Sequence, residues 1–174
     1  MSASEKTILI IRHAKSSWSM ATLSDFDRPL NDRGLYDAPM MAKRLLSAGL
    51  TIDKFISSPA KRAITTAGFF AETFGQIKND ILQIPSLYHA PVKLFYRVIE
   101  DIDDAVNSIA VFSHNPGITD FVNTLTSSTK LDNMPTCGIF AVKAIISKWE
   151  EFEDAEKKFF FFDYPKNIKP LSFK

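Results

Sequence analysis

Four residues stand out because their side chains could bind and process a phosphoryl group: Arg12, His13, Arg62 and His114. Guanidinium groups form paired, charge-assisted hydrogen bonds with phosphate oxygens. Two guanidinium groups and two imidazoles in one place would therefore make a local anion pocket. Such a pocket would have to be local, because 21 Lys and Arg against 20 Asp and Glu leave a formal net charge of only +1.

The elements that would bring these residues together are short β-rich runs, which we interpret as strands buried on both faces. The runs are Thr7 to Ile11, Lys54 to Ser57, Ile81 to Ile84 and Ile109 to Phe112. Arg12 and His13 follow the first run and His114 follows the fourth. Arg62 is predicted in the first turn of the helix after the second run. Because ligands bind outside the carboxyl ends of parallel strands, all three segments should meet at one edge of the sheet.

Helical patterns separate the strands. The first helix is predicted to begin after its cap Asn31, to reach about Ala48 and to stop at Gly49, with Pro39 kinking it. Its apolar face would be Leu35, Ala38, Ala42 and Leu45.

The second predicted helix has Ser58 as N-cap, Pro59 at its first position and Gly75 at its end. Its apolar face would be Ala63, Ala67, Phe70, Ala71 and Phe74. A third, short helix should begin at Pro116 and Gly117. It would carry the apolar stripe Ile118, Phe121, Val122 and Leu125.

Two further strands are predicted near the C-terminus, Gly138 to Ile146 and Lys157 to Phe162, plausibly as an antiparallel pair at the sheet's edge. The second carries four consecutive Phe residues. We interpret them as a strand buried on both faces rather than as an aromatic surface for a partner. The alternation of strands and helices predicts the α/β class, a three-layer α/β/α sandwich with a mostly parallel central sheet.

Composition favours one globular domain over residues 1–174, with 45% hydrophobic and 24% charged residues. No apolar run is long enough for a secretory signal or a membrane span. The near-zero net charge argues against nucleic acid or an anionic membrane as a partner. Cys137 is the only cysteine, which excludes an internal disulfide and a cysteine-based metal site. These features predict a soluble cytoplasmic protein without cofactor or metal.

Three segments together resemble the signatures of the histidine phosphatase superfamily. They are Ile11-Arg12-His13-Ala14, Ser57-Ser58-Pro59-Ala60-Lys61-Arg62-Ala63-Ile64-Thr65-Thr66-Ala67 and Ser113-His114-Asn115-Pro116-Gly117. The short length and the run from Asp25 to Gly34 are more similar to the SixA-type phosphohistidine phosphatases than to the longer phosphoglycerate mutases. The resemblance implies a phosphoglycerate mutase-like fold and a phosphatase activity on a phosphorylated protein.

Catalytic roles also follow from the resemblance. It implies that His13 attacks phosphorus, while Arg12, Arg62 and His114 hold the phosphoryl oxygens. General chemistry agrees, since a neutral imidazole is a competent nucleophile and nearby guanidinium groups oppose its protonation. Phosphoryl transfer depends mainly on positioning and electrostatics, so this set suffices without a metal.

Further candidates for substrate binding are Ser19, Arg28, His89 and Asn115. Ser19 occupies a loop where the superfamily commonly has Asn. Arg28 could line the pocket or pair structurally with Asp25 or Asp27. Asn115 begins a segment whose backbone amides could bind an anion.

The segment Leu87-Tyr88-His89-Ala90 lacks the carboxylic acid that many relatives place there. An alkoxide leaving group needs a proton donor, whereas imidazole, with a pKa of about 6.5, needs less help. This favours phosphohistidine as substrate, although His89 could itself be the acid. Two other interpretations stay open, a phosphatase of small phosphoesters and a catalytically idle phosphate-binding module. The oligomeric state is not predicted.

Overall fold

The computed structural model describes residues 2–19, 21–171 and 173, and its centre is a six-stranded β-sheet. The strands are β1 (Ser4–Arg12), β2 (Lys54–Ser57), β3 (Leu82–Gln83), β4 (Ser108–Ser113), β5 (Ile139–Ile146) and β6 (Lys158–Asp163). The α-helices are α1 (Asp32–Ser47), α2 (Lys61–Thr73), α3 (Val92–Glu100) and α4 (Gly117–Leu125). Short 3₁₀ helices span Lys78–Asp80, Pro85–His89 and Trp149–Glu151.

The strand order in the sheet is β3-β2-β4-β1-β5-β6. The first four strands in this order are parallel, and β5 and β6 run antiparallel to their neighbours. Arg12 at the end of β1 lies opposite Ser113 at the end of β4, so the residues that follow these two strands emerge side by side. The mostly parallel sheet and the antiparallel pair at its edge are as predicted.

Side chains of the central strand β1 alternate between two cores, as the period of a β-strand requires. Leu9 and Ile11 pack in a cluster that contains residues of α1 and α2. Ile8 and Ile10 pack in a second cluster, with residues of α3 and α4. The predicted three-layer α/β/α sandwich is therefore confirmed. No helix among the described residues combines the length and the apolar character needed to cross a membrane.

Helix α1 has the predicted cap, and Ala38, Ala42 and Leu45 of its predicted apolar face are buried. The Asn31 side chain accepts a hydrogen bond from the Gly34 backbone N–H at 3.0 Å, and one helix continues across Pro39. The prediction for Leu35 is wrong, because this side chain is 46% exposed. Gly34 lies instead on the buried side, so close to the loop after His13 that a Cβ atom here would be 2.1 Å from the Lys15 carbonyl oxygen.

The predicted start of α2 at Ser58 and Pro59 is also wrong. The helix begins at Lys61, and the Ala60 side chain that precedes it makes no capping hydrogen bond. Ser58 still belongs to the sheet edge, because its backbone N–H donates to the Phe112 carbonyl of β4 at 3.0 Å. Arg62 nevertheless lies in the first turn of α2, as expected.

Sequence analysis missed helix α3. Its buried residues include Phe95, Val98 and Ile99, at the i, i+3, i+4 spacing of an amphipathic helix. Ile102, just after the helix, belongs to the same core. The period was therefore present in the sequence, within a short segment.

The two outermost strands are less buried than predicted. In β3, which is shorter than the run Ile81 to Ile84, both residues are exposed. In β6, Phe161 is buried, but Phe159 is 39% exposed, and Phe160 and Phe162 are half-buried. Both predictions of burial on two faces fail for the same reason, since these strands end the sheet and have a neighbour on one side only.

Candidate active site

The ends of β1 and β4 and the first turn of α2 bring His13, His114 and Arg62 together. The His13 backbone N–H donates to the Ser113 carbonyl at 3.2 Å, which continues the β1–β4 pairing by one residue. The ring centroids of His13 and His114 are 5.0 Å apart. All three side chains are at most 6% exposed. The structure thus gathers an imidazole pair and a guanidinium in a buried position at the carboxyl edge of the sheet.

The hydrogen bonds of His13 define its tautomer. Its Nδ1 lies 2.7 Å from the Ala14 carbonyl oxygen, and the Arg62 Nε–H donates to its Nε2 at 3.2 Å. Because a carbonyl can only accept and Arg62 can only donate, the proton belongs on Nδ1 and the lone pair on Nε2. Nε2 is therefore the atom of His13 that can act as a nucleophile.

The pKa of His13 is lowered from 6.5 to about 3. Burial is the main cause, because it disfavours the charged imidazolium. The Ala14 carbonyl opposes this effect, while the positive charges of Arg62, Arg12 and Arg28 add to it. His13 is consequently neutral at physiological pH.

Asp25 is the centre of a network that sequence analysis did not assign to the site. Its backbone carbonyl accepts a hydrogen bond from Arg62 Nη1 at 2.5 Å, and its Oδ2 accepts from Arg62 Nη2 at 3.0 Å. The Tyr88 hydroxyl donates to the same oxygen at 2.5 Å. Arg28 Nε lies 3.1 Å from the other oxygen, Oδ1. Asp25 thus fixes the orientation of Arg62 and so turns its Nε–H toward His13.

The same network determines the charge of Asp25. Partial burial alone would raise the pKa of its carboxyl group. The hydrogen bond from Tyr88 and the charges of Arg62 and Arg28 outweigh burial, and the pKa is lowered. The group is ionised at neutral pH, so it can accept hydrogen bonds but cannot donate a proton to a leaving group.

Several buried nitrogen atoms of the site have no hydrogen-bond partner within the described residues, and the three that belong to arginines are donors. They are Arg12 Nε, Arg28 Nε, Arg28 Nη1 and His114 Nδ1. Arg28 Nε is near enough to Asp25 for an ion pair, yet the two groups are not aligned for a hydrogen bond. A buried donor without an acceptor costs about 1–3 kcal/mol, so such groups are rare outside functional sites. Three such donors at one sheet edge favour an anionic ligand.

Arg12 and His114 are held at the sides of the site. Arg12 Nη1 donates to the Met134 carbonyl at 2.7 Å. His114 Nε2 lies 2.8 Å from Ser58 Oγ, which explains why Ser58 does not cap α2. The pKa of His114 is lowered to about 2, first by burial and then by the neighbouring His13 and Arg62.

A cavity of about 270 Å³, called here the catalytic pocket, contains most of these groups. It is lined by Arg12, His13, Lys15, Ser16, Trp18, Asp25, Arg28, Arg62, His89, Asn115 and Thr136. His114 lines an adjacent cavity of about 340 Å³, which shares His89 and Asn115 with the pocket. Among the residues that the structure describes, no group of three or more His, Cys, Asp or Glu is placed to hold a metal ion.

The remaining sequence candidates differ in their placement. Arg28 lines the pocket, and its guanidinium stacks 3.4 Å above the ring of Trp18. Ser19 is exposed, bonds Ser17 at 2.6 Å and does not line the pocket; buried Ser16 lines it instead.

Asn115 and His89 both line the pocket. The Asn115 amide donates to Asn133 Oδ1 at 2.7 Å and to the Met134 carbonyl at 3.1 Å, so its side chain holds a neighbouring loop. His89 is exposed, with its ring centroid 3.9 Å from that of Tyr88.

Cys137 supports the turn that carries His13. Its backbone N–H lies 3.1 Å from both the Arg12 and the His13 carbonyl oxygens. Its φ of 56° is in the left-handed region, which non-glycine residues seldom adopt. The side chain is fully buried, and burial raises the pKa of the thiol.

A profile of the histidine phosphatase superfamily (branch 1) matches residues 8–85, which include Arg12, His13 and Arg62. An uncharacterised protein of Mycobacterium leprae is 31% identical over 159 residues, which cover 84% of this chain and 95% of that protein. The fold and the buried His-Arg cluster define a phosphatase-type hydrolase. The chain belongs to the histidine phosphatase superfamily.

Solved structures share the fold at lower identity. The structure of the protein histidine phosphatase SixA complexed with tungstate has a TM-score of 0.79 and 24% identity, covering 94% of this chain and 99% of that one. Phosphoglycerate mutase from Bacillus anthracis has a TM-score of 0.65 and 15% identity, covering 91% and 92%. The sheet and its helices are therefore phosphoglycerate mutase-like.

Proposed function

We propose that this protein hydrolyses phosphohistidine on a partner protein through a phosphorylated His13 intermediate. The observation that carries this proposal is the state of His13: buried, neutral, and with the lone pair of Nε2 facing the Arg62 guanidinium. A nucleophile in a pocket with unpaired buried donors is the arrangement that phosphoryl transfer requires.

In the first step, His13 Nε2 attacks phosphorus. An Nε2–P bond forms as the bond from phosphorus to the leaving nitrogen of the substrate breaks, and that imidazole takes up a proton from water. Arg62 Nε, which bonds Nε2 in this structure, then turns its hydrogen bond to a phosphoryl oxygen. The Nδ1–H bond to the Ala14 carbonyl holds the ring in place throughout.

In the second step, water attacks phosphorus, the Nε2–P bond breaks and inorganic phosphate leaves. The free donors of Arg12, Arg28 and His114 supply hydrogen bonds to the oxygens on which charge accumulates. Because the two arginines among these groups are fixed cations, we propose a reaction that needs no metal ion. The tungstate complex of a structurally similar phosphatase supports an oxyanion site in this fold.

The carboxylate content of the pocket favours phosphohistidine as substrate. Asp25 is the one acidic residue among those that line it, and this carboxylate is ionised and already bonded to Arg62 and Tyr88. Without an acid, the expulsion of alkoxide is slow, whereas imidazole, with a pKa of about 6.5, leaves readily. We place the enzyme in cytoplasmic phosphotransfer signalling, consistent with a single buried cysteine and no disulfide.

The deciding experiment is a dephosphorylation assay on a phosphohistidine protein, with rapid quench and mass spectrometry. Wild type should show a phosphoryl adduct on His13, and His13→Ala should lose at least about 10³-fold in kcat/KM. Arg97→Ala, which is exposed on α3 and outside the pocket, is the control and should keep its activity. Turnover by His13→Ala, or turnover without an adduct on His13, would refute the proposed nucleophile. A catalytically idle phosphate-binding module would show binding without turnover.

A second candidate function is hydrolysis of small phosphoesters, because His89 lines both cavities and could act as the acid. The two functions differ in leaving-group dependence. For a phosphohistidine phosphatase, kcat/KM should fall steeply from phosphoramidates and aryl phosphates to alkyl phosphates, and His89→Ala should change little. A general acid contributes about 10²–10⁴-fold. Efficient hydrolysis of sugar phosphates that is lost in His89→Ala would therefore establish the second function instead.

A further inference from the structure

A second cavity, of about 420 Å³, lies beside the catalytic pocket. Lys15 and Thr136 line both cavities, so the two are adjacent. We call this second cavity the basic groove. Besides the two shared residues, its wall includes Arg33, Lys166, Phe162 and Tyr164. A substrate group bound at His13 would therefore have the groove directly next to it.

The charge of the basic groove is one-sided. Its wall carries three cations, and none of the residues that line it is acidic. Arg33 is partly compensated, since its Nε lies 3.3 Å from Asp37 Oδ2. Lys15 and Lys166 are exposed, and neither has a carboxylate within 4.0 Å among the described residues. In a protein with a net charge of +1, Lys15 and Lys166 are therefore a local excess of positive charge without an ion-pair partner among the described residues.

The apolar part of the wall selects the kind of occupant. Phe162 and Tyr164 are half-buried, with ring centroids 5.4 Å apart, and Pro135 and Pro165 lie beside them. A small inorganic anion would use the cations alone. A polypeptide segment with acidic and apolar side chains would use both parts of the wall, which matches the mixed character of recognition surfaces.

We propose that the basic groove binds an acidic segment of the phosphoprotein substrate that flanks the phosphorylated histidine. This inference rests on the proposed function and deepens it, because it adds a sequence preference to the substrate class. The lysines lie at the rim, so their charges act mainly on the encounter with substrate and on KM. Salt should screen this effect, because the Debye length falls from about 10 Å at 0.1 M to about 3 Å at 1 M.

The test compares three phosphohistidine peptides that differ only in their flanks, which are acidic, neutral or basic. At low salt, wild type should prefer the acidic peptide over the neutral one by about tenfold in kcat/KM, and the preference should shrink at high salt. Lys166→Gln should lower kcat/KM for the acidic peptide by about 3–10-fold through KM. It should leave the neutral peptide and an aryl phosphate unchanged.

Lys93→Gln is the matched control. This lysine is exposed on α3, outside both cavities, so the same loss of charge there should not alter the preference. A binding measurement tests the groove independently of catalysis. A labelled acidic peptide without phosphate should bind to the His13→Ala variant, and adding Lys166→Gln to that variant should weaken the binding. Absence of any phosphatase activity together with intact peptide binding would refute the proposed function and not the groove.

Two results would overturn the proposal. The first is equal turnover of the three peptides by wild type. The second is that Lys166→Gln weakens inhibition by inorganic pyrophosphate while all peptides behave alike, which would make the groove a site for a small diphosphate.

Discussion

Strand β1 carries a cation near each end, Lys6 and Arg12, and the hydrogen-bond donors of these two cations are satisfied to different extents. Near its start, Lys6 is 1% exposed, and its ammonium donates to the Asp104 carbonyl at 2.8 Å and to the Val106 carbonyl at 2.7 Å. Asn107 Oδ1 lies at 3.3 Å, and the ring of Trp149 is 5.1 Å away. All three N–H groups of Lys6 therefore have acceptors within the protein.

At the other end of β1, the guanidinium groups of Arg12 and Arg28 keep donors without acceptors, and Nδ1 of His114 has no partner among the described residues. Arg28 is buried and Arg12 is half-buried, but unlike Lys6 both keep buried donors without an acceptor. A buried cation whose donors are all satisfied stabilises the fold, whereas buried cations with free donors are arranged for a ligand. Counting acceptors thus separates a structural charge from a functional one where composition does not.

The largest effect is expected for Arg62→Ala, because the Arg62 Nε–H is bonded to Nε2 of the proposed nucleophile His13 and can turn to a phosphoryl oxygen. The substitution removes one preorganised donor to the transition state, and kcat/KM on phosphohistidine should fall by about 10²–10³. The melting temperature should change little. Arg97→Ala, on the exposed side of α3, is the control and should leave both quantities unchanged. A protein that loses stability but keeps its kcat/KM would place Arg62 with Lys6 among the structural cations.

Lys6→Met should show the reverse pattern. It leaves the Asp104 carbonyl without its donor, while the Val106 carbonyl keeps a hydrogen bond from Trp149 Nε1 at 3.0 Å. One unsatisfied buried carbonyl costs about 1–3 kcal/mol, and each kcal/mol lowers the melting temperature by about 2–4 °C in a protein of this size. kcat/KM should not change. Lys158→Met, at an exposed position on β6, is the control. A fall in kcat/KM without a fall in melting temperature would contradict the comparison.

A smaller effect is expected in the dependence of stability on pH. Burial lowers the pKa of His13 to about 3 and that of His114 to about 2, whereas an unfolded histidine titrates near 6.5. Between these values the unfolded chain binds more protons than the folded one. Stability is therefore retained above about pH 6.5 and lost as pH falls toward the folded values, by about 1.4 kcal/mol per pH unit for each histidine.

Urea unfolding in phosphate-free buffer at pH 7 and pH 5 measures this loss. His13→Asn should remove the contribution of one histidine to this pH dependence. The free energy of unfolding of the variant should therefore fall by about 2 kcal/mol less than that of wild type between pH 6.5 and pH 5. His89→Asn is the control, because that side chain is exposed. Equal acid sensitivity of His13→Asn and wild type would show that His13 is not buried in its neutral form.

The main features of the site could be predicted because they depend on strand ends. Arg12, His13 and His114 each follow an apolar run, and parallel strands in one sheet place their carboxyl ends at the same edge. Asp25 could not be assigned this way. It lies in a loop without a hydrophobic period, and its role depends on contacts with Arg62 and Tyr88, which are 37 and 63 residues away in the chain.

The fold, like the site, could be predicted where it depends on local sequence patterns. Strand type and order of elements follow from local patterns, but burial depends on which strands lie at the edges, and nothing local in β3 or β6 encodes that position. The cap of α2 failed for a long-range reason too, since the Ser58 hydroxyl bonds His114, 56 residues away. Helix α3 is a different case, because its apolar residues do have the helical spacing in the sequence. The helix was missed because this pattern extends over nine residues only.

The turn that holds His13 contains its own reporter. Cys137, the single thiol of the chain, is fully buried and its backbone N–H is bonded to the carbonyls of Arg12 and His13. A thiol reagent can reach it only when this part of the structure opens, so the rate of covalent labelling measures local opening free energy at one defined place. An oxyanion that binds the free donors should slow this labelling, which would allow ligand affinity to be measured without any turnover.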